Sequence, residues 1–459
     1  MKKRFLLLAV AAFSLMVAGC ERPTPDPEPG PGPEPGPGPE PVVTLYDIAV
    51  QLVSEGANLA IEGIPMTLTD ENGMATYDGT TDAGGAASFK VPAGTYAASA
   101  TYKTAEDGQR IAYNGSNSSI SVAEGSTSFQ INLNKVVSQQ IIIKELYSTG
   151  CQYKAANKTY SNDAYIILYN NSDLPADASD IVFCFSAPYT SFSNSGNKYI
   201  VDGKFLFESE DWTPAFGGML WFKNPVEIPP YSQIVIAVFG AIDHTQTVEE
   251  SVDLSDPSYY WMSNTDIPQW TMAKYTVAET IPIEHYMSGA AFVMGTAWAL
   301  SNNSPAFYIG KMDSAQAKAL CENADEYDHT LGNGAANNVV KFPRANVVDA
   351  VEVWSAANME KCYYRFSADI NTGYVAITNN QGHTAYRNVD KEATEALEEN
   401  AGKLVYDYAG GTESEVNGST DPSGIDAEAS IAAGAHIIYS DTNDSGKDFH
   451  QRRVASIKK

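Results

Sequence analysis

The sequence is poor in basic residues, cysteine and histidine. Its 29 lysines and arginines face 56 acidic residues, and a surface with that excess repels nucleic acid and anionic lipid. Its five cysteines lack Cys-x-x-Cys spacing, which makes a zinc site a poor interpretation. The sequence contains neither a His-Glu-x-x-His motif, nor a Gly-x-Ser-x-Gly elbow, nor a phosphate-binding loop. We therefore predict no metal, no cofactor, no nucleic-acid partner and no catalytic residue.

A long apolar run stands at the N-terminus. Three basic residues (2–4) precede the apolar residues 5–17, a run too short for a permanent membrane-spanning helix. The following Val17-Ala18-Gly19-Cys20 resembles the lipobox of bacterial lipoproteins, which implies cleavage before Cys20 and a diacylglyceryl group on its thiol. An ordinary secretory signal with an incidental cysteine is the alternative. Removal of residues 1–19 as a signal peptide leaves 26 basic against 56 acidic residues, a net charge of −30.

Residues 20–41 form a region rich in proline, glycine and glutamate. It offers no apolar side chains for a core, and its prolines favour the extended polyproline II conformation. About twenty residues at about 3 Å each give a tether of up to about 60 Å. Acyl chains, and not a basic patch, would hold such a protein to the membrane.

Alternating apolar and polar residues predict antiparallel strands over residues 42–137, at 48–53, 65–69, 96–102 and 127–133. This region resembles the prealbumin-like or carboxypeptidase regulatory-like β-sandwiches, which implies a spacer module. Asp82 is interpreted as a turn-capping residue. The positions that carry the resemblance are Thr81, Asp82, Gly85, Phe89, Pro92, Gly94 and Tyr96.

Residues 138–459 are predicted to form a second module. Buried strands over 140–147, 162–173 and 228–237 resemble the lamin-tail type of immunoglobulin-like sandwich, with long insertions. Lys144 and Ile167 depart from that family, at positions where asparagine and an acidic residue are usual. Helices are predicted over 312–322, capped by Asp313 or Ser314, and over 392–401, with a strand at 347–354 and a loop over 404–425. The fold class is mainly β, a tandem of sandwiches with a few short helices in its C-terminal part.

Four cysteines remain after lipidation of Cys20. Pairing of neighbours in sequence would join Cys151 to Cys184 and Cys321 to Cys362, as an oxidising compartment permits. Free buried thiols are an equal alternative.

Two polar patterns could carry chemistry. Asp441, Asn443 and Ser445 alternate before a glycine as in a calcium loop, but Arg452 stands where an EF-hand needs glutamate, so a hydrogen-bonded turn is the default. Glu208 with the pair 210–211 could serve a glycosidase, although 56 carboxylates make chance pairs common.

Aromatic clusters supply the candidate ligand-binding residues. Trp212 and Trp221 lie in one cluster, Trp261 and Trp270 in another. Exposed indoles stack on sugar rings or anchor protein partners, whereas buried ones fill a core, which is the commoner case.

Taken together, these features resemble a group of uncharacterised lipoproteins of Bacteroidota, over most of the mature chain. The lipobox, the tether, the first module, the strand at 163–173 and the segment 441–449 carry that resemblance. It implies a lipid-anchored, non-catalytic binding protein on the outer membrane, exposed at the cell surface. A surface glycan or a TonB-dependent transporter is the expected partner. A structural or adhesive protein and, third, a carboxylate-dependent hydrolase are the alternatives.

Overall fold

The computed structural model describes residues 43–71, 75–106, 109–192, 196–202, 204–291, 295–298, 300–331, 339–413 and 419–458. The predicted signal peptide, Cys20 and the predicted tether lie outside these ranges. Residues Tyr46–Lys459 form one compact unit. Within the described ranges, no helix combines the length and the apolar character that crossing a membrane requires.

The described part of the chain before residue 139 contains nine strands. They are β1 (Leu45–Ser54), β2 (Ala57–Asn58), β3 (Pro65–Asp70), β4 (Thr76–Thr80), β5 (Ala86–Pro92), β6 (Gly94–Glu106), β7 (Gln109–Val122), β8 (Ser128–Asn132) and β9 (Asn134–Ser138).

These strands form a sandwich of two sheets, called the first sandwich below. One sheet has the order β2-β1-β5, with β8 pairing to β1 in parallel, and the other has the order β4-β3-β6-β7-β9. Burial alternates along β3 and β5, as expected of strands with one face on a core. Leu68, Val91 and Ile131 are fully buried in the hydrophobic cluster of this sandwich. The strands predicted from the alternation are confirmed.

The turn between β4 and β5 explains part of the predicted family pattern. The Asp82 carboxylate accepts hydrogen bonds from the backbone N–H groups of Gly84 at 2.8 Å and Ala86 at 3.1 Å. Gly85 has a φ of +80°, and a Cβ there would lie 1.9 Å from the carbonyl oxygen of Leu59. Asp82 therefore acts as the turn cap that the sequence predicts, and only glycine fits beside it.

The remaining strands belong to the longer C-terminal part. They are β10 (Ile141–Tyr147), β11 (Cys151–Tyr153), β12 (Lys158–Tyr160), β13 (Tyr165–Asn170), β14 (Ala176–Asp177), β15 (Ile181–Phe185), β16 (Ile200–Val201), β17 (Lys204–Phe205), β18 (Trp212–Ala215), β19 (Gly218–Trp221), β20 (Glu227–Ile228), β21 (Gln233–Ala237), β22 (Gly240–Ala241), β23 (Tyr260–Trp261), β24 (Thr276–Val277), β25 (Ser288–Ala291), β26 (Ala306–Lys311), β27 (Tyr327–Asp328), β28 (Val339–Pro343), β29 (Val347–Ser355), β30 (Val375–Ile377), β31 (Thr384–Arg387) and β32 (Phe449–Arg452).

The helices in the described ranges are short. The α-helices are α1 (Ser314–Glu322), α2 (Lys391–Glu395), α3 (Ala427–Ala432) and α4 (Ser445–Asp448), and the 3-10 helices span Lys154–Ala156, Gly196–Tyr199, His244–Gln246, Ile283–His285, Ala324–Glu326, Arg344–Asn346, Ala356–Lys361 and Glu398–Asn400.

Two six-stranded sheets face each other and form the second sandwich. Their orders are β23-β21-β13-β10-β31-β32 and β25-β19-β15-β26-β29-β30. Ile166 and Leu168 of β13 point into the large cluster between the sheets, while Ile167 packs into a second cluster on the other face. Both faces of the central strands are therefore covered, and for this reason their sequences are continuous apolar runs. The mainly β fold class is confirmed, whereas the domain limits 42–137 and 138–459 stay predictions.

Lys144 has a definite place in this arrangement. Its ammonium lies 2.8 Å from a carboxylate oxygen of Glu428 and 2.6 Å from the amide oxygen of Gln233, with its side chain fully buried. The rings of three tyrosines surround it at 5.6–5.8 Å. Burial of the charge is thus compensated by an ion pair and by cation–π contacts.

The predicted C-terminal elements correspond closely to the structure. Asp313 caps α1 by accepting hydrogen bonds from the backbone N–H groups of Ala315 and Gln316. The strand predicted at 347–354 is β29. The helix predicted over 392–401 is instead α2 followed by a 3-10 turn, Glu398–Asn400.

The four cysteines of the described chain are free, so the two expected disulfides are wrong for this structure. The Cys151 thiol lies 3.6 Å from the Asp163 carboxylate. Cys184 instead packs in one cluster with Cys321, against α1. The pairing was predicted from nearness in sequence, but the fold places cysteines that are neighbours in the sequence in different parts of the structure. Burial raises the pKa of Cys321 to about 12, which keeps this thiol protonated and unreactive.

Candidate functional site

The four tryptophans predicted to contact a ligand lie in four different hydrophobic clusters. Their exposed fractions are 8% for Trp212, 7% for Trp221, 3% for Trp261 and 2% for Trp270. The structure does not bring them together, and their burial agrees with the core alternative. Ligand contact stays a prediction for these four.

Three other aromatic side chains do meet on the second sandwich, where Tyr364 is exposed, Tyr374 is half-buried and Trp354 is 8% exposed. The rings of Trp354 and Tyr374 are stacked with centroids 3.8 Å apart and an interplanar angle of 6°. The Tyr364 ring lies 5.0 Å from Trp354, and Tyr364 is 42% exposed. We call Trp354, Tyr364 and Tyr374 the aromatic platform.

The sheet determines the position of the platform. Trp354 lies near the end of β29, opposite Ala376 of the parallel strand β30. Tyr374 stands two residues before Ala376, so the period of two places it on the same face of the sheet as a diagonal neighbour of Trp354. Register thus explains why the two rings stack.

A buried ion pair fixes the segment that carries Tyr364. The next residue, Arg365, is fully buried and donates from two of its nitrogens to one oxygen of Glu352, at 3.0 Å and 2.5 Å. A third nitrogen donates to the carbonyl oxygen of Pro188 at 3.1 Å. Burial raises the pKa of Glu352, and the Arg365 guanidinium opposes that rise. This ion pair connects β29, the strand that carries Trp354, to the segment that carries Tyr364.

The platform borders a cavity of about 560 Å³, which we call the aromatic cavity. Trp354 and Tyr364 contribute its apolar surface. Lys204, Glu208 and Thr372 contribute polar groups. An apolar wall with a few polar groups at its rim is the usual composition of a small-molecule site.

The loop at one side of the aromatic cavity is held by amide hydrogen bonds. The side-chain oxygen of Asn371 accepts hydrogen bonds from the backbone N–H of Ser445 at 3.0 Å and from its hydroxyl at 2.7 Å. Gly373 has a φ of +65°, and a Cβ there would lie 2.1 Å from a carboxylate oxygen of Asp444. The rim is therefore preorganised by the segment around Ser445.

The same segment contains the calcium-like pattern. Asp441 pairs with buried Arg387 at 3.4 Å, and Asp448 accepts hydrogen bonds from the backbone and hydroxyl of Thr442, both at 2.8 Å. Burial raises the pKa of Asp448 to about 6. These carboxylates serve a hydrogen-bonded turn, the default interpretation. Across the described residues, no group of three His, Cys, Asp or Glu side chains could hold a metal ion.

Of the acidic group predicted as a possible hydrolase pair, Glu208 lines the aromatic cavity. One of its carboxylate oxygens accepts a hydrogen bond from the backbone N–H of Ala368 at 3.2 Å. Glu210 and Asp211 are exposed and do not line this cavity.

Sequence reasoning identified β29 but did not single out its tryptophan. The three platform residues are spaced ten apart, and no local motif links them. Only the parallel pairing of β29 with β30 and the Glu352–Arg365 ion pair bring them together.

The fold and the cavity define a mainly β protein with a preorganised aromatic site. Residues 229–413 match the model of a family described as proteins of unknown function, DUF4876. This match spans less than half of the chain and includes the aromatic platform. No curated protein matches the chain.

Two solved structures are similar. A DUF4876 family protein from Bacteroides thetaiotaomicron VPI-5482 has 16% identity and a TM-score of 0.49, over 88% of this chain and 94% of that one. A DUF3823 family protein from Parabacteroides merdae ATCC 43184 has 9% identity and a TM-score of 0.15, over 68% of this chain and 98% of that one.

Proposed function

We propose that the chain is a non-catalytic binding protein, lipid-anchored through Cys20 to the outer membrane, that holds a sugar ring against the aromatic platform. The observation that carries the proposal is the position of Trp354 and Tyr364 in the wall of a cavity of about 560 Å³, with Tyr374 stacked on Trp354. A role in nutrient capture for a TonB-dependent transporter belongs to the same proposal, by analogy with lipoproteins of this type.

The chemistry of the cavity favours a sugar over a purely apolar ligand. The carbon-bound hydrogens of a pyranose pack against an aromatic face, while its hydroxyl groups need donors and acceptors at the rim. Lys204 supplies a donor and Glu208 an acceptor. The Thr372 hydroxyl supplies an acceptor, since its hydrogen is donated to the carbonyl oxygen of Asn443 at 3.3 Å. The exposed face of Tyr364 is available for this contact, since 42% of that residue is accessible.

Binding is tested with Tyr364→Ala and Trp354→Phe. Immobilised starch, cellulose, xylan and mannan serve as probes, with retention of the purified protein in affinity electrophoresis as the readout. On whichever polysaccharide retards the wild type, Tyr364→Ala should weaken retention about ten-fold, because one stacking contact is lost. Trp354→Phe should weaken it less, because a ring stays in place.

Tyr406→Ala is the matched control, since Tyr406 is 47% exposed but does not line the aromatic cavity. Equal retention of Tyr364→Ala and wild type, or no retention of the wild type on any probe, would count against a sugar site. Release of reducing ends by the wild type, lost in Glu208→Gln, would support the hydrolase alternative instead.

Anchoring is tested in the cell. Cys20→Ser should move the protein from the membrane fraction to the soluble fraction, because it removes the thiol that accepts the lipid. Sedimentation of Cys20→Ser with membranes would contradict the proposed attachment.

A further inference from the structure

A second and larger cavity, called the polar cleft here, lies between the first and the second sandwich. Its volume is about 1110 Å³. The first sandwich lines it with Ser116, Asn132 and Asn134, and the second with Thr442 and Asn443. Hydroxyl and amide groups, which donate and accept hydrogen bonds without carrying charge, are thus the commonest polar groups in its wall. The wall also contains five charged side chains, those of Glu55, Lys135, Asp369, Asp444 and Lys447.

The polar cleft and the aromatic cavity share part of their walls. Ala368 and Thr372 line both. The shared wall is held in place because the backbone N–H of Thr372 donates to the carbonyl oxygen of Asn443 at 2.7 Å. The two cavities therefore adjoin each other at Ala368 and Thr372.

The charges in the wall of the polar cleft nearly balance, because three carboxylates are accompanied by two ammonium groups. Asp369 lies 3.2 Å from a guanidinium nitrogen of Arg344, and Asp444 lies 3.1 Å from the ammonium of Lys447. An overall acidic protein thus presents here a cleft without a dominant charge, which suits a neutral and strongly hydrogen-bonding ligand.

Close packing inside the first sandwich shapes its side of the cleft. A Cβ on Gly115 would lie 2.1 Å from the carbonyl oxygen of Asn132, so β7 passes β8 with no side chain between them. Ser116 and Asn132 are consequently neighbours, and both are exposed.

We infer that the ligand is a neutral oligosaccharide several sugar units long, with one ring on the aromatic platform and the following units in the polar cleft. This inference rests on the proposed function. It assigns a binding role to the first sandwich, which the sequence alone indicates only as a spacer. A single sugar on the aromatic platform would leave the polar cleft unused.

The test measures affinity against chain length by isothermal titration. The probes are malto-, cello-, xylo- and manno-oligosaccharides of two and six units. For the series that binds, the hexasaccharide should bind at least about ten-fold more tightly than the disaccharide, because more hydrogen bonds form in the cleft. Asn132→Ala should weaken hexasaccharide binding about five-fold, the effect of one neutral hydrogen bond, and leave disaccharide binding unchanged. Ser128→Ala, at the opposite end of β8, is the matched control and should alter neither.

The outcomes separate the inference from the proposed function. If disaccharide and hexasaccharide bind equally and Asn132→Ala changes neither, the extended site is overturned while the sugar site on the platform stands. If no oligosaccharide binds, both are overturned. A length-dependent affinity that Asn132→Ala lowers only for the longer probe supports the inference.

Discussion

The two sandwiches differ in the kinds of side chain that they bury. In the described part of the first sandwich, Thr81 is the only polar side chain that is almost fully buried. The second sandwich buries charged groups throughout, among them Lys144, Asp163 and Asp349, and the ion pair of Arg365 with Glu352. The first sandwich is thus held by hydrophobic packing, whereas the second also depends on compensated charges. Removing one partner of a buried ion pair should therefore destabilise the second sandwich far more than any single polar substitution destabilises the first.

The largest effect is expected from Arg365→Met. This change leaves the Glu352 carboxylate buried without its partner, and we expect the free energy of unfolding to fall by about 4 kcal/mol. Urea unfolding measured by circular dichroism checks the value. The double variant Glu352→Leu with Arg365→Met should recover much of the loss, because no unpaired charge stays behind. Arg453→Met, at an exposed arginine, should be nearly neutral. A neutral Arg365→Met would remove the proposed contrast between the sandwiches.

A smaller effect is expected in the first sandwich from Gly85→Ala. Gly85 and Gly125 both have positive φ, but a Cβ added at Gly85 would clash with the carbonyl oxygen of Leu59, whereas one added at Gly125 would meet nothing within 4 Å. Gly125→Ala should cost about 1 kcal/mol for its backbone conformation, and Gly85→Ala at least about 2 kcal/mol because of the added clash. Thermal unfolding of both variants provides the measurement, and equal losses would show that the turn can shift.

The smallest effect concerns pH. Burial raises the pKa of Asp163 above its ordinary value, so its protonated form is favoured in the folded state. The stability it contributes is complete below the unfolded pKa of about 4 and is lost as the pH rises through the folded pKa. Asp163→Asn should therefore flatten the decline in melting temperature that follows as the pH rises above about 4.

Asp177 provides the opposite control. Hydrogen bonds from Ser179 lower the pKa of Asp177, so its contribution is lost as the pH falls instead. Asp177→Asn should leave the decline above about pH 4 unchanged. An unchanged slope for Asp163→Asn would place the pH dependence elsewhere in the molecule.

The difference in burial between the two sandwiches also determines how much of each could be predicted from the sequence. In the first sandwich each sheet has one buried face and one face exposed to solvent, so the alternation of apolar and polar residues predicted its strands. The turn residues predicted the Asp82 turn. In the second, β13 is covered on both faces, so the strand was predictable but the direction of each side chain was not. The tryptophans illustrate the limit. The sequence clusters of aromatic residues indicated Trp212 and Trp270, whereas the aromatic platform, in which Tyr364 is the exposed ring, depends on long-range strand pairing.

The parallel pairing of β1 with β8 has a mechanical consequence. Five residue pairs, from Ala49 with Ser128 to Val53 with Asn132, connect the first strand of the sandwich to its penultimate one. A pull on the start of β1, opposed by a load carried beyond Asn134, runs along both strands in opposite directions. The hydrogen bonds between them are then sheared together and cannot unzip one after another. A module built in this way resists stretching when the start of β1 and the chain beyond Asn134 are pulled apart.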